Sequence, residues 1–117
     1  MEVVVMFERS HEEHNGHANY ETWAFLAHIT QTQELLNEAI EIARPMVDDE
    51  YHYRVIGETV VRHFQEWCWE TIHSWVVYDP PQPWRDATLM ANDVGSWWRI
   101  DENGGGRHMM EYVKESA

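Results

Sequence analysis

Between Pro45 and Pro80 the chain carries no proline, and apolar side chains return through that stretch at Tyr53, Ile56, Val60, Phe64, Trp67, Cys68, Ile72 and Trp75. Steps of three and four residues place these on one side of a helix. The pattern predicts one long helix over about 50–77, with Asp48 or Asp49 as its N-cap and Gly57 marking a close helix crossing. The Pro80-Pro81-Gln82-Pro83 loop stops it, because the residue before each proline is pushed out of the α region. Such a helix, apolar along one side, is stable only when other elements cover that side.

Further breaks fall at Asn15-Gly16, Pro45, Gly95 and Gly104-Gly105-Gly106, and they cut the rest of the chain into helix-length segments without any internal repeat. Asn19 is a good N-cap for a helix beginning at Tyr20, with Trp23, Leu26 and Ala27 inward. Thr30-Gln31-Thr32 interrupts it, and Thr30 or Thr32 caps a second helix. That helix turns Leu35, Leu36, Ala39, Ile40, Ile42 and Ala43 inward as far as Arg44, and Pro45 ends it. A short fourth helix over 84–93 has Ala87, Met90 and Ala91 inward, and Asp93 or Ser96 caps another turn or two through Trp97-Trp98-Arg99-Ile100.

The glycine triplet lacks the Lys-Ser/Thr that follows a phosphate loop, so it reads as a hinge with Gly104 as a C-cap. Beyond it, 107–117 is either a last helix packed by Met109, Tyr112 and Val113 or a fraying end, which makes 104–117 a candidate mobile tail. At the other end, 1–7 is β-branched and apolar, a short strand or extended arm that must pair with another chain or lie on the helices, and 11–18 is a polar loop. The expected architecture is all-α or nearly so: one domain over 1–117, a bundle of four to five helices with an extended segment and loop over 1–18.

Charge narrows the function. Eight Lys and Arg stand against 21 Asp and Glu, a formal net charge of -13, and Lys114 is the one lysine. Phosphate binding needs clustered cations, so neither direct nucleic-acid binding nor attraction to an anionic membrane is expected. With 44% apolar residues the chain has material for a core. The single Cys68 rules out an intramolecular disulfide and the usual multi-cysteine zinc sites. No apolar run approaches the roughly 20 residues of a membrane span, and 3–7 is too short and lacks the basic flank of a signal peptide. The expected location is cytoplasmic, that of a host cell if the protein is viral.

Three groups of residues are candidates for chemistry. His11, His14 and His17, with Glu12 and Glu13 between them, have spacing that could wrap a metal, although Asn15 and Gly16 equally fit a solvated loop. His28, His52, His63, His73 and His108 lack ligand spacing, and His28, on a largely apolar helix, reads as a hydrogen-bonded, partly buried residue. Cys68, between Trp67 and Trp69 in mid-helix, reads as an inert core thiol, and no serine sits in a nucleophile elbow. No catalytic residue and no cofactor is expected, and the chain reads as a non-enzyme.

The seven tryptophans form the second group. Trp23, Trp67 and Trp75 fit inner helix faces, whereas Trp69, Trp84, Trp97 and Trp98 cannot all be buried with them. At least one aromatic surface patch follows, with Trp84, Trp97 or Trp98 as interface anchors. Glu34, Glu38 and Glu41 on the second helix, and Glu58, Glu66 and Glu70 on the third, form the third group. Like charges at i, i+4 weaken a helix, so their presence needs a reason. One is a surface that offers carboxylates to a basic groove much as nucleic acid offers phosphates. The other is solubility or high-salt adaptation, which the seven Arg to one Lys also fits.

The segment His17-Ala-Asn-Tyr-Glu-Thr-Trp23 resembles the opening of a family of small phage and mobile-element proteins that share the Asn-Tyr-Glu-Thr-Trp core, here Asn19 to Trp23. Asn92-Asp-Val-Gly-Ser-Trp-Trp98 resembles that family's second, weaker signature, a Val-x-x-Trp turn entering a short helix. Where the family carries Asn-Asp-Glu-Gly after the first helix, this chain has Thr30-Gln31-Thr32-Gln33. The resemblance implies a viral setting and a helical fold, with no established activity and no catalytic residues to carry over.

Taken together, the expected function is macromolecular binding: an acidic viral protein that inhibits a host nucleic-acid-binding defence enzyme. Its partner would be a protein with a basic surface, met by the six glutamates and by Trp84, Trp97 or Trp98. Two other readings stand beside it. One is a structural or homo-oligomeric protein of a halophilic virus that pairs through 3–7, and the other is a metal-binding domain that uses His11, His14 and His17.

Overall fold

The computed structural model describes residues 16–74 and 82–116. Among these are five α-helices, one 3-10 turn and no strand: α1 (Tyr20–Gln31), α2 (Gln33–Asp48), α3 (Tyr53–Ser74), α4 (Gln82–Val94), the turn Trp97–Arg99 and α5 (Glu102–Glu115). The all-α expectation holds. The expected arm over 1–7 lies outside the described residues.

α3 packs most extensively on α5 and then on α4, with α2 along a third side, and α1 packs mainly on α4 and α2. Ile56, Val60, Phe64 and Cys68 are buried along it, as their spacing predicts, and meet Phe25, Ile29, Met90 and Met109 from the neighbouring helices. Phe25 stands edge-on to both Phe64 and Trp97, with ring centroids 6.1 and 5.8 Å apart. Burying a phenylalanine this fully is worth roughly 1.5–3 kcal/mol relative to leaving it exposed.

Several local expectations are corrected by tertiary contacts. α5 runs straight through Gly104-Gly105-Gly106, which is therefore neither hinge nor C-cap. The reason lies across the interface. A Cβ on Gly106 would come within 1.7 Å of the Tyr53 carbonyl oxygen, and one on Gly57 within 1.9 Å of the Glu102 oxygen. The two backbones touch where neither has a side chain, so close packing there outweighs the roughly 1 kcal/mol that each helical glycine costs. Gly57 marks the crossing as its position predicts.

Pro45 lies inside α2, which continues to Asp48. The proline removes one donor, but its own carbonyl accepts the Asp49 amide at 3.0 Å, and Tyr51 closes on Met46 at 2.9 Å, so a last turn forms beyond it. Glu50 then adopts a left-handed conformation (φ 60) that turns the chain. The cap of α3 is His52, whose Nδ1 accepts the Arg54 amide at 3.1 Å, and neither Asp48 nor Asp49 takes that place.

In α1 the buried face is turned from the expected one: Thr22, Phe25, Leu26 and Ile29 are buried, and Trp23 is only half-buried. Asn19 fixes this orientation. Its Oδ1 accepts from the Thr22 amide (2.9 Å) and hydroxyl (2.7 Å), and its Nδ2 donates to the Arg99 carbonyl at 2.7 Å. The Thr22 hydroxyl oxygen accepts the Asp101 amide, also at 2.7 Å. The start of α1 is thereby fastened to the turn that carries Trp97 and Trp98. The Tyr20 hydroxyl donates to Asp93, which also meets His28 at 2.9 Å, so α1 is tied to the end of α4 as well.

Candidate binding surface on helix α3

Two adjoining hollows run along the outer edge of α3, of about 450 and 370 Å³. Gln65 and Trp97 line both, so they form one groove between α3 and the Trp97–Arg99 turn. Toward α4 its lining is Cys68, Trp69, Glu70, Ile72 and His73, and toward α5 it is Glu58, Arg62, Trp98 and Glu102. The turn on its far wall is tied to the start of α1 through Asn19 and the Arg99 carbonyl, which sets Trp97 and Trp98 along this edge.

Trp23 and Trp67, expected inward, are half-buried, and two other tryptophans are strongly exposed. Trp98 is 79% exposed and Trp69 65%. Trp97 is half-buried, packed edge-on to Phe25, and is a wall of the groove more than an exposed anchor. The Trp84 and Trp75 side chains lie outside the described residues. Each exposed ring already has one cationic or ionisable neighbour: the Arg99 guanidinium lies 4.6 Å from the Trp98 ring centre, and His73 stacks on Trp69 with centroids 3.7 Å apart. The His73 ring is pinned there by its Nδ1–H, which donates to the Trp69 carbonyl at 2.7 Å.

The six glutamates lie on two surfaces. Glu34, Glu38 and Glu41 gather with Asp86 and Trp67 around a separate hollow of about 380 Å³. Glu58, Glu66 and Glu70 border the α3 groove. One of the six is paired, Glu58 with Arg54 at 3.0 Å, and Glu38 lies 3.4 Å from His63 Nε2, a counter-charge only when that imidazole is protonated. Glu34, Glu41, Glu66 and Glu70 are exposed and have no ion-pair or hydrogen-bond partner among the described residues. Glu102, at the groove's α5 end, is held above the usual carboxylate range by partial burial and by the negative charge of Glu58, with Arg54 and Arg62 opposing.

The Cys68 thiol reaches the groove floor yet is 3% exposed, and burial pushes its pKa up to about 12. It is thus a protonated, inert core thiol at neutral pH, as its position predicts. His11 and His14 lie outside the described residues. His17 sits with its ring 4.8 Å from that of His108, and among the described residues no three metal-ligating side chains converge. His28 is partly buried and hydrogen-bonded, as expected. Sequence reasoning missed the Tyr20–Asp93–His28 cluster because its members are far apart along the chain, and it missed Glu21, buried at the start of α1 with Oε1 accepting no hydrogen bond among the described residues.

No described helix is long and apolar enough to cross a membrane. Compared with known protein families, curated proteins and solved structures, the chain matches none.

Proposed function

We propose that the protein acts by binding another protein, one whose own surface is basic and engages nucleic acid, and that it competes with nucleic acid for that surface. The observation that carries this reading is one groove on a well-packed bundle that joins two strongly exposed tryptophans, Trp69 and Trp98, to the unpartnered Glu66 and Glu70 beside Trp69. Exposed aromatics at a concave surface are the usual anchors of protein interfaces, and uncompensated carboxylates select a cationic partner and speed encounter with it. The resemblance of Asn19 to Trp23 to phage proteins supports a viral setting, and by analogy with other small acidic viral proteins the target is a host enzyme.

Affinity capture from host lysate at physiological salt tests this, with bound protein eluted by competing duplex DNA. A nucleic-acid-binding protein released by the DNA is the expected outcome. Capture of nothing, or only of partners indifferent to DNA, overturns the reading.

A second reading is favoured by Glu34 and Glu41, which are unpartnered among the described residues and line a different hollow from the exposed tryptophans: the acids serve salt tolerance. A protein so adapted unfolds as ionic strength falls, whereas a binder of basic surfaces keeps its fold and binds more tightly.

A further inference from the structure

We propose that the groove between α3 and the Trp97–Arg99 turn receives an arginine-bearing segment of the partner, with guanidinium groups against the Trp69 and Trp98 rings and Glu66 and Glu70 as their counter-charges. This rests on the binding function proposed above and names the surface and the chemistry that would carry it.

Charge complementarity commits the groove to a cation. Glu66 and Glu70 project beside Trp69 without partners among the described residues, and at the other end Glu102 joins them, its carboxyl raised by burial first and by the neighbouring Glu58 second. An apolar peptide would leave Glu66 and Glu70 desolvated and unpaired, which is costly. The aromatic walls then favour arginine over lysine, because a planar guanidinium stacks on a ring and still offers N–H groups sideways to a carboxylate. The molecule already places guanidinium groups over its own rings, with Arg99 over Trp98 at 4.6 Å and Arg107 over Tyr53 at 4.4 Å. The α2 hollow is as acidic, but its aromatic, Trp67, is half-buried against Phe64 and offers no comparably exposed ring.

Fluorescence anisotropy with the full chain tests the assignment, using a labelled arginine-glycine repeat peptide and its lysine-glycine twin at near-physiological salt. The arginine peptide should bind about tenfold more tightly than the lysine one. Trp69→Ala/Trp98→Ala should bring the two within about twofold, and Glu66→Gln/Glu70→Gln should weaken both. Glu34→Gln/Glu41→Gln, on the α2 face, should leave both nearly unchanged. Equal affinity of the wild-type chain for the two peptides overturns the proposal, as does a loss from the α2 pair as large as that from the groove pair. Circular dichroism of each variant separates loss of fold from loss of binding. If a DNA-displaceable partner is captured and the double tryptophan variant retains it, the groove assignment fails alone. If the arginine preference holds and no such partner is found, the broader function fails alone.

Discussion

The two sides of α3 follow opposite rules. Toward α5 the helix has no side chain at Gly57, and backbone meets backbone at a distance where one added carbon would collide. Toward the Trp97–Arg99 turn it carries large and charged side chains that meet little: Trp69, Glu66 and Glu70 are all exposed. Packed cores have almost no slack, so the first side should tolerate no change, while the second makes few of the contacts that stabilise a fold. The contrast puts the edge that stabilises the fold and the edge of the proposed binding groove on different sides of one helix.

The hardest way to break that contrast is at the glycine crossing. Gly57→Ala or Gly106→Ala should each destabilise by about 2–4 kcal/mol, since the neighbouring atoms are backbone and cannot move aside alone. Denaturant unfolding checks this, and a loss under about 1 kcal/mol would mean that the helices pack more loosely than described.

A smaller loss, roughly 1–2 kcal/mol, is expected for Asn19→Ala, which removes the cap of α1 and its bond to the Arg99 carbonyl. That variant also frees the turn that holds Trp98, so its tryptophan emission should shift more than that of an equally destabilised core variant.

Gly105→Ala sharpens the comparison from the other direction. It lies between the crossing glycines' contacts with nothing within 4 Å of an added Cβ, so it should gain up to about 1 kcal/mol from helix propensity. Trp98→Ala, at the far edge, should move stability by no more than about 0.5 kcal/mol in the same unfolding experiment.

The smallest effect concerns Cys68, whose thiol pKa of about 12 leaves about one part in ten thousand as thiolate at pH 8. Its reaction with a thiol reagent should therefore be slow in the native state and rise to the ordinary rate in denaturant. Rapid native labelling would show the groove floor to be open.

Much of this was legible in the chain. The period of α3, the cap at Asn19 and the inward set of α4 follow from local chemistry, and all appear where expected. What was not legible depends on partners distant in sequence. The glycine triplet carries every local mark of a hinge, and only the approach of Tyr53 and Gly57 makes helix the better solution there. Pro45 likewise reads as a stop until Tyr51 folds back on Met46. For the candidate surface, the excess of tryptophan predicted a patch, but which rings stay exposed was set by Asn19 and Phe25 positioning the turn. The sequence places the six glutamates on two helices, but only the bundle shows that α2 and α3 present the two sets to different hollows.

The most direct test of the central claim is the yield of DNA-displaceable partner captured by Glu66→Lys/Glu70→Lys/Trp98→Ala relative to the wild-type chain. These residues add little to folding and, on this account, most of the binding, so capture should be lost while the helical circular dichroism spectrum and unfolding midpoint stay close to wild type. Undiminished capture by a folded variant would contradict the account and move the interaction away from this edge of α3.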